Sequence, residues 1–203
     1  MNLVLRNKME LFLGICDSIE DSPIGHSSGL ESGALKRVSL LQLAQYLMYL
    51  ASSDGRVSYT EAHFIGELIP AFADWTPAQF KEWIIDQNVY STEFEETPPL
   101  LLQLLVPVDN ALYAADEESS DLPEMLMSIY RQIGQAFVEC DGETNAEHND
   151  YNTYLDMMAQ FIIDNSERPG NTFYHNVEYG GQDISMTFKI GKPIISWSNS
   201  DDE

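Results

Sequence analysis

LAQYLMYLASSDGRVSYTEAHFIGELI, residues 43–69, is the stretch from which the fold is read. Leu43, Leu47 and Leu50, with Leu40 just upstream, recur at three- and four-residue spacing. That is the apolar stripe of a helix facing a core. It predicts a helix over 36–53. Asp54-Gly55 ends it, because glycine accepts the left-handed backbone just past a helix. Ser58 and Glu61 then fit a capping box, in which the hydroxyl and the carboxylate each bond a free backbone N–H. A second helix is expected from there to residue 72, with Pro70 near its end.

The same arrangement recurs in IGQAFVECDGETNAEHNDYNTYLDMM, residues 133–158. With Asp54-Gly55 laid over Asp141-Gly142, Leu50 falls on Phe137, Ala51 on Val138 and Tyr46 on Ile133. Ser58 and Glu61 fall on Thr144 and Glu147 after a one-residue gap. A single Asp-Gly before a capping box marks any tight helix–helix turn. Two of them, each behind a long apolar helix, make an internal repeat.

Working outward, Leu5, Met9, Phe12, Leu13 and Cys16 give a helix over 3–19, followed by a Gly/Ser-rich connection over 20–34. Thr76-Pro77 with Gln79 starts a short helix over 77–87. Thr97-Pro98-Pro99 starts another that reaches 115, with Pro107 expected to kink or divide it. Helices over 121–140 and 144–164 complete the pattern. Past Arg168-Pro169-Gly170 the period changes from 3.6 to 2. Ile184 to Ile190 alternate strictly between apolar and polar, so an antiparallel meander of three strands is expected over 173–197, packed on the helical body. The reading is a mainly α fold: an N-terminal helix and linker (1–35), a helical bundle with pseudo-twofold repeat (36–166) and a β extension (167–203).

Composition restricts function. The 203 residues hold 33 Asp and Glu against 10 Lys and Arg, a formal net charge of −23. Between residues 82 and 167 stand 19 acidic residues and one basic residue, Arg131. Such a surface repels phosphate backbones and anionic lipid heads, so nucleic-acid and membrane-surface binding are disfavoured. It suits divalent cations or a protein partner with a basic surface. Cys16 and Cys140 have neither a disulfide framework nor zinc-like spacing, which points to reduced thiols and a cytoplasmic protein. No apolar run reaches the ~18 residues of a membrane helix, and the N-terminus does not read as a signal peptide. No nucleophile elbow or phosphate loop is present. His26, His63, His148 and His175 read as ordinary surface or packing residues.

The two repeats, together with DWTPAQFKEWI at 74–84, resemble the TerB-like family of tellurite-resistance and stress proteins over residues 38–165. The resemblance implies a compact all-helical domain with pseudo-twofold symmetry. It also implies an acidic site for divalent cations and a role in stress or membrane-associated complexes. It implies no enzymatic activity.

The residues carry their own argument for such a site. Short connections favour antiparallel neighbours, which would bring both Asp-Gly loops to one end of the bundle. Asp54, Glu61, Asp141, Glu143 and Glu147 would then gather at one surface, where calcium or magnesium would relieve their repulsion. An EF-hand is rejected, because its first ligand position would be Leu50. Capping by itself also accounts for Glu61 and Glu147. The expected function is a non-enzymatic acidic helical module that mediates protein–protein interaction and responds to a divalent cation. The alternatives are a carboxylate-based metalloenzyme or a structural adaptor without metal.

Overall fold

Residues 34–51 contain no glycine or proline, so nothing interrupts the backbone ladder, and they fold as one helix. In this computed structural model the described residues are 3–23, 26, 31–89, 91, 94, 96–116, 119–142 and 144–168, with the backbone of 175–179, 182–189 and 192–197. Among them are seven helices: α1 (Leu3–Glu20), α2 (Ala34–Ala51), α3 (Tyr59–Leu68), α4 (Pro77–Gln87), α5 (Leu100–Ala115), α6 (Leu122–Val138) and α7 (Asn145–Asn165). The chain is mainly helical.

The second half of α2 is apolar on every side: Leu43, Ala44 and all residues from Tyr46 to Ala51 are buried. A helix of this kind belongs at the centre, and α2 does contact each of the other six. α1 lies in the same core, to which it contributes Leu5, Met9, Phe12, Ile15, Cys16 and Ile19. The middle of the core is aromatic. Tyr46 stacks on Tyr154 with ring centroids 4.6 Å apart, and Tyr130 stacks on Tyr154 at 6.2 Å.

Several helix starts are satisfied from a distance. The Glu20 carboxylate accepts hydrogen bonds from the Gly33 and Leu35 N–H groups at 2.7 and 2.6 Å, closing the start of α2 from the end of α1. Gln42 Oε1 accepts from the Leu100 N–H at 2.9 Å, and Asp109 Oδ1 from the Leu122 N–H at 3.0 Å. Each removes a donor that the helix itself leaves free.

One boundary differs from expectation. α3 stops at Leu68 rather than continuing to 72. Pro70 disfavours helical backbone at the residue before it, and Ile69 sits at φ −124°, ψ 95°. A single 3-10 turn, Pro70–Phe72, follows. Pro107 lies inside α5 without dividing it. Further along, the three strands expected over 173–197 fall where no more than the backbone is described. The expected packing of these strands on the helices lies outside the described residues. Among the described residues no helix is long and apolar enough to cross a membrane.

Candidate functional site

Each Asp-Gly loop turns through a glycine of positive φ, +85° at Gly55 and +109° at Gly142, a conformation that disfavours a β-carbon. Each then delivers the chain into a complete capping box. In the first, Ser58 Oγ accepts from the Glu61 N–H at 3.1 Å, and Glu61 Oε2 accepts from the Ser58 N–H at 2.6 Å. In the second, Thr144 Oγ1 accepts from the Glu147 N–H at 3.2 Å, and Glu147 Oε2 accepts from the Thr144 N–H at 2.9 Å. The capping bonds fix both glutamates at the first turn of their helices, α3 and α7.

Tertiary packing then sets the two helix starts against each other. One carboxylate oxygen each from Glu61, Asp141 and Glu147 lies within 4.8 Å of the other two. Glu61 and Glu147 are only 3% and 4% exposed, whereas Asp141 is on the surface. Glu61 Oε1 is buried and accepts no hydrogen bond. A buried carboxylate oxygen without a donor is costly, and the carboxylate that carries it is grouped with two further acids. Burial pushes the Glu61 carboxyl up to about 7, with Asp141 and Glu147 adding to the shift and its bonds to Ser58 opposing it. Burial and the same three carboxylates hold the adjacent Cys140 thiol up at about 12.

A direct bond also joins the halves of the repeat: Ser53 Oγ donates to Asp150 Oδ2 at 2.5 Å. Asp150 is not among the five expected site residues. Its only signal is its place on α7, three residues after Glu147 and hence on the same face.

Of the five expected site residues, Glu61, Asp141 and Glu147 are brought together. Asp54 is not in the group. Its two oxygens accept from the Arg56 N–H and Arg56 Nε, each at 3.0 Å. Glu143 lies outside the described residues. His63 is exposed, and His148 packs its ring near Tyr151.

Chemically, the group offers hard oxygen donors from both halves of the repeat, with one exposed member, Asp141, on the solvent side. Three carboxylates suit calcium or magnesium with water completing the shell, since these ions take six or more oxygens. The unpartnered Glu61 oxygen is the observation that fits a cation best. The chain matches no protein-family model, no curated protein and no solved structure.

Proposed function

We propose that this chain is a TerB-like, non-enzymatic helical module that binds a divalent cation between its two repeats and engages a protein partner with a basic surface in a stress-related setting. What carries the cation reading is the buried, unpartnered Oε1 of Glu61, on a carboxylate grouped with those of Asp141 and Glu147. A cation there supplies the positive charge that the three carboxylates lack. The excess of acid over 82–167 supports the basic partner and disfavours nucleic acid.

Thermal melting at matched ionic strength tests the cation. At a free calcium or magnesium concentration ten times Kd, binding stabilises by about 1.4 kcal/mol. For a chain of this size that raises the melting temperature by roughly 3–6 °C over sodium chloride. Glu61→Gln and Glu147→Gln each remove the increment while keeping the cap, since glutamine also closes a capping box. The complete capping bonds support a second reading, in which the glutamates only cap; wild type and both variants then respond alike to the cation.

In the proposed architecture the C-terminal strands form a cover for the helical body. Removal of residues 170–203 is then expected to lower the melting temperature or to create new binding of a hydrophobic dye. A truncated chain unchanged in both measurements separates the strands from the bundle.

A further inference from the structure

We infer that a cation held by Glu61, Asp141 and Glu147 is a clamp between the two repeats, so that its binding through the second loop fixes the backbone of the first. The inference rests on the cation reading above and adds what the ion does.

The donors come from both halves: Glu61 from α3, and Asp141 and Glu147 from the loop and helix that follow α6. The glutamates use their carboxylates twice. In Glu61, Oε2 holds the Ser58 N–H, while Oε1 has no hydrogen-bond partner. A cation on the free oxygen therefore acts on the same rigid group that anchors the first loop at Ser58. Glu147 Oε2 likewise holds the Thr144 N–H. Without the cation, the halves meet at this end through the Ser53–Asp150 bond, while three carboxylates repel one another a few ångströms away. A cation turns that repulsion into a second tie.

The consequence reaches the surface. Gly55, Arg56 and Val57 of the first loop form one wall of a pocket of about 180 Å³, closed on the other side by Lys81, Ile84 and Ile85 of α4. Val57 precedes the anchored Ser58, so occupancy of the acidic site governs how firmly that wall is held.

Hydrogen exchange on the full chain, with calcium alone as the probe and isothermal titration alongside, tests the clamp. With calcium at ten times Kd, amides in both 52–58 and 139–147 should exchange about tenfold more slowly, if their opening releases the ion. Glu147→Gln, in the second repeat, should abolish the calcium-dependent slowing in 52–58 of the first repeat, read as the ratio of rates with and without calcium in the same variant. Should that variant alter exchange without calcium, Asp141→Asn on the exposed loop gives the same readout. Calcium that binds but slows only 139–147 overturns the clamp and leaves the cation site standing. Slowing in 52–58 that survives both substitutions also overturns it. No heat of binding in wild type removes the cation site, and the clamp with it.

Discussion

Glu61 combines two demands that pull in opposite directions. As a cap it must reach back to the Ser58 N–H, and as a buried acid it would rather be protonated. Its folded-state pKa, about 7, lies above its ordinary 4.5. The folded state therefore holds a proton that the unfolded state has lost over the window from 4.5 to 7. The associated stability is fully present below 4.5 and is lost as pH rises through about 7. Without divalent cation, the melting temperature of wild type should fall from pH 5 to pH 8. Glu61→Gln should flatten that fall, since glutamine keeps the cap and has no proton to lose. A wild-type slope that persists in the variant assigns the titration to another group.

Gly134 is the other residue whose identity is forced. A β-carbon there would sit 2.1 Å from the Tyr46 hydroxyl and 3.0 Å from the Tyr151 ring. Tyr46 is wholly buried and cannot swing aside. Gly134→Ala should destabilise by about 1–3 kcal/mol through overpacking, against a helix-propensity gain of roughly 1 kcal/mol. The Tyr46 hydroxyl itself has no hydrogen-bond partner. Tyr46→Phe should accordingly be neutral or mildly stabilising by itself, and it should recover most of the loss when combined with Gly134→Ala. Chemical denaturation of the two single variants and the double variant reads all three terms. A double variant as unstable as Gly134→Ala places the clash on Tyr151 instead.

At the scale of elements, Arg168, just past α7, ties the chain back to α5 and to the loop before α6, beside Asn110 of α5, which bonds Asn165 and Glu167. Arg168 donates through Nε to Asp109 Oδ2 at 2.5 Å and through Nη2 to Asp109 Oδ1 at 2.9 Å. Its remaining donors go to the Ser119 and Ser120 carbonyls, both at 2.9 Å, and its guanidinium lies 4.9 Å from the centre of the Tyr113 ring. Asp109 is fully buried and also caps α6 through Leu122. Removing one member of a buried pair leaves the other charge unpaired, at a cost of about 3–5 kcal/mol. Arg168→Met should lower stability by that amount in urea denaturation. A change below about 1 kcal/mol, the scale of an exposed pair, would show that water reaches Asp109.

The elements also show what kind of information each boundary used. The starts of α3, α4 and α7 are legible because Ser58, Thr76 and Thr144 lie three residues from their reciprocal partners. The starts of α2, α5 and α6 receive donors' partners from Glu20, Gln42 and Asp109, up to 58 residues away. For Glu20 and Gln42 no local pattern announces the bond. α3 ends early because the constraint before Pro70 outweighed the apolar run through Ile69 and Phe72.

For the whole molecule, the repeat and its helical periodicity were readable because both are local regularities. Apolar spacing depends on neighbours within two turns, and a capping box on residues three apart. Those regularities determined a mainly helical chain with two loops of the same design. Antiparallel packing of short-connected helices predicted that the loops would share one end, and Glu61, Asp141 and Glu147 do meet there. Only the tertiary structure decided which acids form the group. It turned Asp54 toward Arg56, buried two capping glutamates whose positions alone say nothing of exposure, and supplied Asp150 as a tie across the repeat. The reason is physical. A carboxylate's environment is set by what packs over it, and here residues 80 and 86 positions apart in sequence meet within a few ångströms.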